Sequence, residues 1–432
     1  MRRAAVALLG AAALACSPGE RLGDGRAPER VPARVPAARP VEGVRGAGPT
    51  VRVGIAVDTP AVRVSAPAGF ELRAVPGGVL ARGAAAEAWL VERIAGTRAS
   101  VRRPDGTRIG EYELPLRVIA PGDMVEIGGR QYRGQVLISA RDERNLTAVN
   151  VVDLELYLRG VVPREMGRRP ASEIEALKAQ AVAARTYAIG NLGGRERQGF
   201  DFYATVLDQV YGGTADEDTI VTRAIAETAG EVVTHDGRPI LAYYSSTCGG
   251  HTAAIEEAWP WRAALPYLRG VSDQVRGSDE FYCSSSNRFN WRTEWNREQL
   301  LAVLAETLAA HTRGRVSSVR DVERIEITGR SRAQRATIRL TADGQSHTLR
   351  ADSVRWVLRP QPSAALLNSS RVYQLATRRE RGSVQALTIE GGGWGHGVGM
   401  CQVGAMGRAR AGHSYRQILQ AYYHDTRIER LY

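Results

Sequence analysis

Four segments of the chain hold residues whose types and spacing could do chemistry. The first runs Tyr157-Leu158-Arg159-Gly160-Val161-Val162-Pro163-Arg164-Glu165-Met166. Pro163 disfavours a helical Val162 and so places Glu165 in a sharp turn between an apolar strand and a following helix. A carboxyl group among Val162, Pro163 and Met166 loses part of its water, which raises its pKa toward the range a general acid needs near neutral pH. The plainer alternative is a carboxylate serving the first turn of that helix. The second segment is Asp208-Gln209-Val210-Tyr211-Gly212-Gly213. Its glycines let backbone approach a ligand, and Gln209 and Tyr211 suit sugar hydroxyls.

The third segment, Ser245-Ser246-Thr247-Cys248-Gly249-Gly250-His251-Thr252, is followed downstream by Cys283. Cys248, His251 and Cys283 suit a shared zinc ion. A Cys248–Cys283 disulfide fits an oxidising compartment equally well, and spacing leaves both readings open. The fourth segment is Gly391-Gly392-Gly393-Trp394-Gly395-His396-Gly397-Val398-Gly399-Met400-Cys401-Gln402. Trp394 offers a stacking face for a sugar, and His396 and Gln402 offer polar contacts. The glycines match neither a Walker nor a dinucleotide pattern. The only lysine in the chain is Lys178, far from this stretch, so a nucleoside-triphosphate site is excluded. Cys401 reads as a small buried residue.

The elements that must position these residues are legible in outline. From Val51 to about Val152 apolar residues alternate, with turns at Pro76-Gly77-Gly78, Asp105-Gly106 and Gly128-Gly129. A helix is expected over Glu173 to Asn191, with Ser172 as N-cap and Glu175 closing a capping box. A second is expected over Ile220 to Thr228, followed by a hairpin of Glu231–Thr234 and Pro239–Ser245 about Asp236-Gly237. Residues 296–390 carry a helix near Glu298 to His311 and several strands, in the manner of an inserted lobe. The mixture predicts an α+β fold with a β-rich N-terminal part.

The 432 residues are 44% hydrophobic and 24% charged, which excludes disorder over most of the chain. The net charge of +12 is nearly all arginine and is spread along the sequence without a recognition motif, so no nucleic-acid partner is expected. Arg2 and Arg3, the apolar run Ala4–Ala15 and Cys16 form a secretory signal over residues 1–16 that resembles a bacterial lipobox. Lipidation of Cys16 would anchor the protein to a membrane through the Pro- and Ala-rich tether 17–49. The folded part is therefore expected outside the cytoplasm, in the cell envelope.

Together and in this order, the segments resemble the SpoIID/LytB family of sporulation and cell-wall proteins. The resemblance rests on Val161–Met166, Leu177–Ala188, Asp208–Gly213, Cys248–Thr252 and Gly395–Ala405. It implies a β-rich region over residues 50–130 and a SpoIID/LytB-like domain over 131–432, with 296–390 less typical. It further implies a lytic transglycosylase acting on denuded peptidoglycan strands, with Glu165 as sole general acid/base and a 1,6-anhydro-muramic product. Arg185, Gln209, Tyr211, Trp394, His396 and Gln402 are the implied substrate contacts. The chemistry needs no cofactor; a structural zinc is implied near the Cys-Gly-Gly motif, although Ser245 stands where many members have a histidine. The alternative role is a non-catalytic glycan-binding enhancer with an amidase partner.

Overall fold

The computed structural model describes residues 48–432; the expected signal, Cys16 and nearly all of the tether lie outside the described residues. The fold is α+β, as expected. Two compact units are present: residues 48–244 together with 404–432, and residues 245–403. The division falls at 244/245 and 403/404.

In the first unit, the alternating N-terminal sequence forms two sheets. The seven-stranded sheet has Leu146–Asp153 paired antiparallel between Thr50–Thr59 and Gln135–Ala140. Every residue of Leu146–Asp153 is buried, so this strand is covered on both faces and does not alternate. Phe202–Tyr203 adds to the far side of Thr50–Thr59 in parallel. The six-stranded sheet is antiparallel throughout, and the Pro-Gly and Gly-Gly sequences noted above join its hairpins and those of its neighbour.

The central strand runs directly into helix α1, Leu154–Met166. Asp153 is the cap: its Oδ1 accepts from the Glu155 and Leu156 amides at 2.9 and 3.2 Å. Helix α1 includes Pro163, so Glu165 stands on a helical last turn, which corrects the expected loop. The helix ends at Gly167, whose positive φ of 67° favours glycine. Helix α2, Ile174–Gly190, is entered through a 3-10 turn at Ala171–Glu173. Ser172 therefore does not cap it. Glu175 instead pairs with Lys178 at 2.8 Å and accepts from the Tyr415 amide at 2.7 Å. Helix α3, Thr219–Glu227, is capped by Asp218. After Glu231–His235 the expected hairpin closes only through Arg238–Pro239, because the following residues leave the ladder.

Arg185 sits in the middle of α2 with no exposed surface. Its Nε and Nη2 donate to the two Glu155 oxygens at 2.7 Å each, and its Nη1 donates to the Glu231 carbonyl at 3.0 Å. This fork ties α2 to α1 and engages the guanidinium within the protein, so Arg185 braces the two helices.

The second unit packs the helix Arg297–His311 and two three-stranded sheets around one apolar cluster that includes Trp295, Leu304, Ile338 and Leu387. Asn296 and Gln299 form its capping box. Among the described residues no helix is long and apolar enough to cross a membrane.

Removing one partner of a buried ion pair strands the other. Arg185→Met is therefore expected to destabilise the protein by about 3–5 kcal/mol in urea unfolding.

Candidate functional site

The site around Glu165 is built by apposing one loop to one helix. Residues 208–213 lie along α1, and contact is close because Gly160 has no side chain. A Cβ at Gly160 would stand 2.5 Å from the Gly213 carbonyl oxygen and 2.6 Å from the Tyr211 ring. The Gly212 amide donates to the Gly160 carbonyl at 3.1 Å. Two residues earlier, the Val210 amide donates to Glu165 Oε1 at 3.1 Å. Glu165 is thereby held in a half-buried position. The glycines of this loop serve packing on the protein itself: Gly213 has φ of 68°, and a Cβ there would lie 2.1 Å from the Gln131 carbonyl oxygen.

Beneath Glu165 runs a hydrogen-bonded core. Tyr157 donates to Gln209 Oε1 at 3.1 Å, while Gln209 Nε2 donates to the Ala184 carbonyl at 3.2 Å and to the Tyr244 hydroxyl at 2.9 Å. Burial, followed by the charge of Glu165, pushes the Tyr244 phenol well up; burial and neighbouring groups do the same to Tyr157. Both phenols stay protonated beside the carboxylate. Tyr187 donates to Asp208 Oδ1 at 3.0 Å, and Asp208 is held further by Arg195 and the Tyr203 amide.

Gln209 and Tyr211 are 0% and 2% exposed, and the Tyr211 hydroxyl donates to Asn150. Both side chains are thus engaged inside the protein, in the loop that carries the Val210 amide to Glu165. Tyr157 and Tyr244 escaped the sequence reading. The nearest signal was that each lies within or beside a motif, in a chain with few aromatic residues.

The remaining expected residues belong to the unit of residues 245–403. Trp394 is 42% exposed, with the Arg288 guanidinium 4.4 Å from its ring centre. His396 is half-buried; its Nδ1 accepts from the Val398 amide at 3.1 Å, and its ring lies 5.1 Å from that of Trp259. Gln402 is buried at the start of the helix Gln402–Arg410. The glycine-dense stretch is laced to the Cys-Gly-Gly segment: Thr247 and Trp394 exchange backbone hydrogen bonds, and a Cβ at Gly249 would meet the Gly392 backbone at 2.6 Å.

This lacing assembles a cysteine cluster. Cys248, Asp273, Cys283 and Cys401 are buried, and their donor atoms all lie within 4.8 Å of one another. The Cys248 and Cys283 sulfurs are 3.6 Å apart and both thiols are free, so the disulfide alternative is not formed. His251 stands outside the group, its Nδ1 2.6 Å from the Thr252 carbonyl oxygen. Burial pushes the Cys248 and Cys401 thiols up, whereas hydrogen bonds from those two hold Cys283 low. Four donors at this spacing fit a tetrahedral zinc, since Zn–S bonds of about 2.3 Å separate sulfurs by about 3.8 Å. The cluster thus brings Asp273 and Cys401 to Cys248 and Cys283, and His251 lies outside it. The available signal was arithmetic, because pairing two of three exported cysteines leaves an odd one.

Comparison with known proteins gives the following. Residues 142–235, which include Glu165 and the 208–213 loop, match the family model described as Stage II sporulation protein. Residues 270–399 match a separate model described as a domain of unknown function, DUF8618. The chain is 31% identical to an uncharacterized protein of Brachyspira hyodysenteriae over 74% of this chain and 78% of that one. It is 29% identical to the Amidase enhancer of Bacillus subtilis, over 74% of this chain but only 48% of that protein. It is also 29% identical to Stage II sporulation protein D of Bacillus subtilis, over 65% of this chain and 76% of that one.

Gln209 satisfies three buried groups at once. Gln209→Leu is expected to cost about 1–3 kcal/mol of stability, read by chemical denaturation, through the orphaned Tyr157 hydroxyl.

Proposed function

The chain belongs to the SpoIID/LytB family, and on that premise we propose that it cleaves denuded peptidoglycan glycan strands by a lytic transglycosylase reaction. The observation that carries the proposal is the placement of Glu165: a half-buried carboxyl on the last turn of helix α1, steered by the Val210 amide and set close to the protonated Tyr244 phenol. The Val210 amide fixes the direction in which the carboxyl points, which is what a positioned general acid and base requires. In the first step Glu165 gives its proton to the bridging oxygen of the glycosidic bond, and that bond breaks. In the second the carboxylate takes the proton of the sugar's own 6-hydroxyl as its oxygen closes on the anomeric carbon. Atoms balance without water, and one carboxyl serves both steps, whereas hydrolysis calls for two carboxyl groups flanking the bond.

We further propose that Cys248, Asp273, Cys283 and Cys401 hold a zinc ion. Four buried protein donors leave no open coordination position, so the ion would supply folding energy and take no part in the reaction. The expected export and Cys16 anchor belong to the same reading, since the wall lies outside the cytoplasm. The name of the Amidase enhancer relative favours a second reading, in which the same surface binds glycan and stimulates a separate amidase.

Glu165→Gln is expected to retain the fold by circular dichroism and to lose formation of anhydro ends on stem-peptide-free glycan, measured by mass spectrometry. Undiminished turnover in that variant rejects the catalytic role, and wild-type protein that binds glycan without making new ends favours the enhancer. Elemental analysis is expected to find about one zinc per chain. Cys401→Ser and Asp273→Asn are expected to lower that content, and His251→Ala to leave it unchanged.

A further inference from the structure

The unit of residues 245–403 has a concave feature that shares no residue with the cysteine cluster or with Trp394 and His396. It is an open cleft of about 340 Å³ lined by Pro260, Trp261, His311, Thr348, Arg350 and Ser353. Trp261 is 69% exposed, against 42% for Trp394. An indole so presented keeps an apolar face in water, a cost that a stacking ligand relieves.

Arg350 ends the strand Gln345–Arg350, and its backbone is fixed by Ser353, whose Oγ accepts from the Arg350 amide at 2.7 Å and donates to its carbonyl at 2.8 Å. The guanidinium itself has no ion pair or hydrogen bond among the described residues. The neighbouring acid, Asp352, is engaged by Arg355, Trp259 and Trp356 and does not neutralise it. The Thr348 side chain is exposed on the same strand. Burial and the nearby His347 push the His311 imidazole down, so it enters the cleft neutral and able to hydrogen-bond.

We propose that this cleft binds a carboxylate-bearing pyranose of a glycan strand, with Trp261 stacked on the sugar face and Arg350 paired with the carboxylate. Planar guanidinium matches carboxylate in a two-point fork, and the polar edge of the cleft faces hydroxyl and acetamido groups. The inference rests on the reading of the substrate as peptidoglycan and names the feature recognised. A strand stripped of stem peptides exposes the lactyl carboxylate of each muramic residue, whereas a peptide-bearing strand has an uncharged amide there. Arg350 thereby gives the protein a means of telling the two apart, outside the cleavage chemistry of Glu165.

The test uses full-length protein carrying Glu165→Gln, so that strands are not consumed, and measures binding to soluble stem-peptide-free glycan. Adding Trp261→Ala is expected to weaken binding about tenfold. Arg350→Gln is expected to weaken it about fivefold, with Arg350→Lys recovering part of the loss. Strands whose carboxylates have been converted to amides are expected to bind weakly, and equally to the protein that keeps Arg350 and to the Arg350→Gln variant. Both side chains are exposed, so unfolding midpoints are expected to stay unchanged. Parental affinity in both substituted proteins, or equal affinity for acid and amidated strands, overturns the inference. Anhydro-end formation by wild-type protein is read separately. Cleavage with binding indifferent to Trp261 and Arg350 sinks this inference alone, and Trp261-dependent binding without new ends sinks only the catalytic reading.

Discussion

The site depends on one close approach. The 208–213 loop can donate the Val210 amide to Glu165 only because Gly160 lets it lie against helix α1. Any side chain at that position would lift the loop from the helix, and the carboxyl would lose its orienting partner while gaining water. Three features of this unit set the helix that makes the contact. The fully buried central strand fixes where α1 begins, Asp153 caps that start, and the Arg185–Glu155 fork keeps α2 in place behind it. The residues that position Glu165 thus include several that are buried in the core.

That division explains what the sequence did and did not reveal. Segment α1 was not read as a helix, whereas the strands, the helices α2 and α3 and the glycine turns were readable because period-2 and period-3.6 patterns are local. The state of Pro163 was not. Its preference for an extended preceding residue is weaker than the packing of a helix buried over Tyr157, Leu158, Val161 and Val162. Arg185, Gln209 and Tyr211 look like ligand-binding side chains by type, yet each is buried and satisfied internally. Residue type reports what a group can bond to, and only the fold reports whether a protein partner already occupies it.

The cysteine cluster teaches the same lesson in reverse. Cys248 and His251 are near neighbours in sequence and suggest a shared ion, but the turn at Gly249 and Gly250, both with positive φ, sends His251 to the Thr252 carbonyl. Asp273 and Cys401 arrive from 25 and 153 residues away. No spacing rule connects such partners. Only the lacing of two glycine-rich segments does, and it works because neither carries side chains where the backbones meet.

The position of that cluster has an architectural outcome. Cys248 lies just inside the start of the 245–403 unit and Cys401 just before its end, and the Cys248 amide donates to the Cys401 sulfur at 3.2 Å. The unit is therefore cinched at its neck, so that its two chain ends leave side by side whatever the length or content of the loop between them. A segment gathered in this way can be enlarged, trimmed or exchanged over evolutionary time as a cassette, while its host keeps an unbroken path from one side of the insertion to the other.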